Sequence, residues 1–243
     1  MSSSKPLESW LVFFNPAQLD STIRFDLTHH ISTLDDCYGL ALDGGLRRAE
    51  QLNLSVHWHV GDFDSISTNA DSSKDTLGWE ELAHLGKTDP DLKVCQKYAL
   101  KKTKDFIDGE SVQQLLKARN LREVVFFDFW QGRWDFSLLH FMWLLQNNWL
   151  INKLTIILPE GYCKFASGSS SFKAPTGSSF SIFPIDIMEK VNISGSIFDG
   201  ESFTFKPGTG HSFSNKFNCN QVDVDIQHDS RYLFFVFNEG ELR

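Results

Sequence analysis

The chain has 243 residues, 41% of them hydrophobic and 22% charged, a composition that supports a large buried core and excludes wholesale disorder. Its formal charge of −8 argues against a nucleic-acid or anionic-membrane surface, which needs a basic stripe, while leaving room for a nucleotide pocket neutralised by a cation. Cys37, Cys95, Cys163 and Cys219 form no paired motif and read as reduced thiols; with no apolar leader after Met1 and no segment of transmembrane length, a soluble cytoplasmic protein is expected.

Trp10 to Phe14 is a short continuous apolar run, the pattern of a strand covered on both faces. A helix or irregular link through about residue 35 follows. Tyr38 to Asp43 reads as a second buried strand ending on Asp43-Gly44-Gly45, and Leu46 to Leu54 as a helix with Leu46, Ala49 and Leu52 on one face. A third strand, Val56 to Val60, runs into Gly61-Asp62-Phe63-Asp64-Ser65. Strands alternating with helices indicate a parallel α/β sheet, whose ligands bind beyond the carboxyl ends of the strands. Asp43, Asp62 and Asp64 are all expected at such ends.

Between residues 66 and 100 the pattern is weaker, with short helices expected at Glu80 to His84 and Leu92 to Leu100. Lys104-Asp105-Phe106-Ile107-Asp108 precedes a predicted helix from Gly109 to Ala118, with Val112, Leu115 and Leu116 inward and Asp108 as N-cap. Val124 to Phe129 is the next buried strand, followed by Trp130-Gln131-Gly132-Arg133-Trp134-Asp135. The helix Phe136 to Gln146 then presents Leu138, Leu139, Met142 and Leu145 on its apolar side, with Asp135 able to cap it. Leu154 to Leu158 closes the α/β part.

From about Gly161, Gly, Ser and Phe rise and helical periodicity disappears. Short alternating stretches take over at Ser179 to Pro184, Val191 to Ile197, Ser202 to Phe205 and Tyr232 to Phe237. The expected architecture is a parallel-sheet α/β domain over residues 1–160, followed by an antiparallel β-sandwich over 161–243.

The chemistry concentrates on carboxylates. In an extended segment alternate side chains share a face, so Asp62 and Asp64 point the same way, and two close carboxylates repel unless a cation lies between them. Hard oxygen ligands suit Mg²⁺. Asp105 has no structural role legible in the sequence, and Lys104 beside it is suited to offsetting the acidic cluster or holding a phosphate oxygen. Arg133, in a Gly-containing loop, is suited to bidentate grip of phosphate. His57 and His59 alternate on a strand without a third metal ligand nearby, so satisfied strand histidines are the expectation.

In order and spacing these motifs resemble thiamine pyrophosphokinase. The family pattern runs Asp-Gly-Gly, Gly-Asp-x-Asp-Ser, Lys-Asp-x-Thr-Asp and Gly-Gly-Arg-x-Asp-His; here it is met by Asp43-Gly44-Gly45, by Gly61 to Ser65, by Lys104 to Asp108 and by Gln131 to Phe136. Ile107, Gln131 and Phe136 depart from it, and His140 stands where Asn is frequent. Phe180 to Pro184 is similar to the family's Val-Ser-Leu-Leu-Pro, Ser214-Asn215 to its Thr-Ser-Asn, and Ile193 to Phe198 to a stretch ending in Trp or Tyr.

The resemblance implies an α/β domain that binds ATP and Mg²⁺, a β-sandwich that binds thiamine and carries most of the contact of a homodimer, and pyrophosphoryl transfer from ATP to the thiamine hydroxyl releasing AMP. Asp62, Asp64 and Asp105 are then the metal ligands, Lys104 and Arg133 the phosphate cations, and Asp43, Asp108 and Asp135 each candidates to orient the attacking hydroxyl. Gly44, Gly45, Ser65, Ser214 and Asn215 join the binding set, with Phe198 packing on thiamine. A related Mg²⁺-dependent pyrophosphokinase or phosphohydrolase, or a non-catalytic ligand-binding relative, are the alternatives.

Overall fold

A computed structural model describes residues 6–14, 16, 37–61, 76–77, 79–88, 90, 95–100, 108–130, 134–209 and 214–237. The chain divides into two compact units between Trp149 and Leu150.

The first unit is a parallel sheet with helices. Its strands are β1 (Glu8–Phe13), β2 (Cys37–Leu42), β3 (Trp58–Gly61), β4 (Thr76–Leu77), β5 (Gln96–Leu100) and β6 (Leu121–Phe127), ordered β6-β1-β2-β3-β5-β4. Every pairing within that order is parallel. Helices α1 (Gly45–Gln51), α2 (Trp79–Leu85) and α3 (Asp108–Leu116) fall between them in the chain, and α4 (Trp134–Gln146) follows β6. Trp10, Val12, Phe13, Leu40, Val60, Val124 and Phe126 are sealed from water, as continuous apolar strand runs require.

Three local expectations are corrected. Gln96 to Leu100, expected within a short helix, forms β5, because pairing with β3 outweighs the helix preference of Gln, Lys, Ala and Leu; residues 92–94 of that expected helix lie outside the described residues. The inward side of α1 centres on Arg48 and Ala49, with Leu46 and Leu52 only half-buried. Helix α4 turns His140, Trp143 and Leu144 inward and leaves Leu138, Leu139 and Met142 exposed, together with Trp134 at 89%.

The reason for the last lies in what each face meets. His140 stacks on Phe129 at 4.9 Å and 11°, and Trp143 packs edge-on to the same ring. A Cβ on Gly109 of α3 would come within 2.8 Å of the Trp143 indole, so the missing side chain there makes the seat for it. α4 is apolar nearly all round, and of its side chains His140 and Trp143 find the tighter fit.

The second unit begins at Leu150, so the strand Leu154–Leu158 groups with it. Its strands are β7 (Leu154–Leu158), β8 (Gly161–Ser167), β9 (Ser170–Lys173), β10 (Ser179–Pro184), β11 (Met188–Ser194), β12 (Gly200–Phe205), β13 (Asn215–Lys216), β14 (Gln221–Asp225) and β15 (Arg231–Phe237). One sheet runs β13-β10-β15-β8-β7 and the other β12-β11-β14-β9, both antiparallel. Their inner faces meet through rings: Phe172 of β9 lies flat on Phe234 of β15, centroids 3.6 Å apart, and Phe180 and Phe217 pack around Phe234. This is the expected sandwich. No helix among the described residues is long and apolar enough to cross a membrane.

Candidate functional site

The carboxyl ends of β6, β1, β2 and β3 form one rim because the four strands are parallel neighbours. Asp43 sits there, immediately after β2, at φ 43. Its N–H donates to Val60 O (3.0 Å), and its carbonyl accepts from His59 Nε2 (2.7 Å). Its carboxylate lies over the last residue of β3: a Cβ on Gly61 would stand 1.9 Å from Asp43 Oδ1. Glycine at 61 is therefore what lets this carboxylate reach the start of the Gly61-to-Ser65 motif.

Gly44 and Gly45 follow. A Cβ on Gly45 would lie 2.0 Å from Phe13 O, so the first turn of α1 is seated directly on the end of β1. Both expected strand histidines are held by backbone: His57 Nδ1 accepts from Gly39 N–H (2.8 Å), and His59 donates to Asp43. Burial holds the His57 ring below its usual pKa.

Asp108 is the first residue of α3 rather than the residue before it, and Asp135 is the exposed second residue of α4. Each is placed to complement its helix's positive end. Asp62, Asp64, Ser65, Lys104, Asp105 and Arg133 lie outside the described residues. Among the described residues no group of three or more His, Cys, Asp or Glu is placed to hold a metal ion. An open concavity of about 490 Å³ is lined by Glu80, Glu81, His84, Leu85, Thr88 and Tyr98, none of them an expected site residue.

The rim holds two residues that the sequence reading missed. Arg48 of α1 and Asp128, directly after β6, form a fully buried ion pair: Nε to Oδ2 at 2.7 Å and Nη2 to Oδ1 at 3.0 Å. Asp128 occupies the left-handed region, φ 59, which Asp tolerates better than most residues. Burial pushes its carboxyl above the usual range, against the opposing pull of the Arg48 guanidinium. The pair ties the turn after β2 to the turn after β6. A charged residue next to Ala49 on a core-facing helix was the available signal, but its partner is far away in the sequence.

In the second unit Phe198, Ser214 and Asn215 do come together. Phe198 is 68% exposed, between β11 and β12. Asn215 is buried and bonds to the backbone of Phe198 on both sides. Ser214, at φ 60, donates its N–H to Ser181 Oγ (3.1 Å).

No protein-family model matches this chain, and no curated protein matches it by sequence. Solved structures do. The thiamine pyrophosphokinase of Bacillus subtilis is similar with a TM-score of 0.70 at 14% identity, over 95% of this chain and 100% of that one. The thiamin pyrophosphokinase of Geobacillus thermodenitrificans gives 0.69 at 13% identity, over 97% and 100%. The thiamin pyrophosphokinase of Candida albicans gives 0.59 at 17% identity, over 96% and 90%. Over nearly its whole length, the chain has the thiamine pyrophosphokinase fold.

Proposed function

We propose that this protein transfers a pyrophosphoryl group from ATP to the hydroxyl of thiamine, giving thiamine diphosphate and AMP in an Mg²⁺-dependent reaction. The observation that carries the reading is the similarity of both units together to structures named thiamine pyrophosphokinase, spanning 95% of this chain and 100% of the Bacillus subtilis one. The four motifs of the resemblance add to it, and one of them, Asp43-Gly44-Gly45, meets a second, at Gly61, on the strand rim.

In that reaction the acceptor oxygen attacks the β-phosphorus of ATP, the bond from that phosphorus to the α–β bridging oxygen breaks, and AMP leaves. The acceptor proton passes to a carboxylate or to solvent. Little covalent chemistry is asked of the protein; positioning and charge neutralisation dominate. The Asp43 carboxylate, packed where a residue-61 side chain would otherwise lie, fits a site built from hard oxygen donors. Asp62, Asp64 and Asp105 would hold Mg²⁺, which supplies neutralisation of phosphate charge. Lys104 and Arg133 would contact phosphate oxygens, and Asp43, Asp108 or Asp135 would orient the acceptor hydroxyl. Gly44, Gly45 and Ser65 would line the nucleotide side.

The second unit would hold the acceptor ring against Phe198 and contribute to a homodimer. Exposed Ile187, Ile197, Phe198 and Phe203 on that unit offer apolar side chains to such a contact. No basic stripe supports nucleic acid or membrane as a partner, and a cytoplasmic location fits cysteines that form no disulfide.

The test is mass spectrometry of products from purified protein, ATP, Mg²⁺ and thiamine. Thiamine diphosphate with equimolar AMP is expected, and Asp62→Asn, Asp64→Asn and Asp105→Asn should each lower turnover by about 100-fold or more. Release of ADP or inorganic phosphate in place of AMP identifies a phosphohydrolase or a simple kinase. Thiamine binding without turnover identifies a ligand-binding relative.

A further inference from the structure

The turn from Gly195 to Asp199 presents two apolar side chains to solvent, Ile197 and Phe198, yet its backbone is tied down by several hydrogen bonds. Gly195 enters it at φ 82, where a Cβ would lie 2.2 Å from Gln221 O. Ser196, buried, donates from both N–H (2.7 Å) and Oγ (3.0 Å) to Asp199 Oδ1. Ile197 N–H donates to Lys216 O at 2.9 Å.

Asn215 completes the bracing. Its Oδ1 accepts from Phe198 N–H (3.2 Å) and from Lys216 N–H (2.8 Å). Its Nδ2 donates to Phe198 O (3.1 Å) and to Ser196 Oγ (3.0 Å). A carboxamide offers two acceptor lone pairs and two donor protons, and here three are engaged by the turn and the fourth by the neighbouring Lys216 N–H. Asn215 therefore has nothing left with which to bind a ligand unless the turn is released.

We infer that Asn215 is a positioning residue. It clamps the backbone on both sides of Phe198, so that the ring is held out in one place for a flat acceptor, and it does not itself touch that acceptor. The inference rests on the proposed reading of Phe198 as the acceptor's stacking partner. A ring held in place loses less freedom on binding than one on a loose turn, which is the general advantage of preorganisation.

The experiment uses the full chain as wild type, Asn215→Ala, Phe198→Ala and the double variant. It reads thiamine affinity by calorimetry and backbone amide exchange by mass spectrometry or NMR. Asn215→Ala is expected to speed exchange at Ile197 and Phe198 while Val222 and Val224 stay protected. It should also weaken thiamine binding by about 3- to 10-fold without changing ATP affinity. In the Phe198→Ala background it should weaken thiamine binding no further.

Unchanged exchange at Phe198 in Asn215→Ala overturns the inference. So does an equal loss of thiamine affinity with and without the Phe198 ring, which would mean that Asn215 touches the ligand directly. If Phe198→Ala alone leaves thiamine affinity intact, the reading of Phe198 fails, and the exchange measurement still decides whether Asn215 fixes the turn. Should Asn215→Ala fail to fold, Asp199→Ala loosens the same turn from its exposed end. It must then give the same faster exchange and the same dependence on Phe198, and its failure to do so counts equally against the inference.

Discussion

Arg48 and Asp128 stand 80 positions apart in the sequence and meet through two hydrogen bonds, with neither side chain open to water. Removing one partner of such a pair leaves a buried charge uncompensated, at a cost of about 3–5 kcal/mol, whereas replacing both is far milder. Arg48→Met and Asp128→Asn should each destabilise the protein by that amount, and the double variant by less than the sum. Chemical denaturation of the four proteins completes the cycle. Strictly additive losses would show that the two residues stabilise the fold independently.

Gly61→Ala tests the rim. The new Cβ would stand 1.9 Å from Asp43 Oδ1, so the Asp43 side chain has to swing away from β3. Turnover is expected to fall by about tenfold or more, with a smaller change in the thermal melt, because a side chain moves more cheaply than a strand. Adding Asp43→Ser should restore the melt without restoring turnover. Full activity in Gly61→Ala would place the Asp43 carboxylate outside the chemistry.

Stability should fall as the solution is acidified, and His140 should be part of the cause. Its Nδ1–H donates to Phe129 O at 2.9 Å, and its ring is buried between Phe14 and Phe129. Burial holds its pKa below the ordinary 6.5, outweighing the hydrogen bond that favours the charged form. The unfolded chain takes up a proton near 6.5 while the folded ring stays neutral. The contribution is complete above that pH and is lost as pH falls below it, levelling off once the folded ring also protonates. The slope is at most about 1.4 kcal/mol per pH unit for each such histidine, with His57 acting in the same direction. Urea denaturation between pH 7.5 and 5 should show a shallower loss in His140→Phe. An identical slope would assign the effect to other groups.

Leu138 and Met142 offer a separable test of assembly. Both are exposed on α4, so Leu138→Ser with Met142→Ser should shift the unfolding free energy of a single chain by only about 0.5–1 kcal/mol. Light scattering of the wild type at micromolar concentration is expected to give twice the chain mass. A monomer with full activity would remove the homodimer from the proposal.

Strands β1, β2, β3, β6 and β7 were legible because buried strands read as unbroken apolar runs, and β10, β11, β12 and β15 because sandwich strands alternate. Asp43-Gly44-Gly45 was legible as a residue motif, although the contact that requires glycine at 45 comes from Phe13 of β1. What failed was whatever depends on a distant partner. Gln96 to Leu100 carries no strand signal of its own and becomes β5 through β3. The four leucine and methionine positions on α4 looked like its inner face, yet Gly109 and Phe129 supply better seats for Trp143 and His140. Arg48 went unremarked because nothing near it in the sequence announces Asp128. Asn215 was read as part of a binding motif, and only the geometry of the turn shows its amide fully engaged.

The place of β1 bears on how the protein is made. This strand is made well before β6, but it lies between β2 and β6, and its register with β6 runs from Glu8↔Leu121 to Phe13↔Phe127. During synthesis Trp10, Val12 and Phe13 therefore wait, with one side of the strand unpaired, until β6 has emerged. Nascent chains stalled before β6 should be protease-sensitive and chaperone-bound, and those stalled well beyond it resistant.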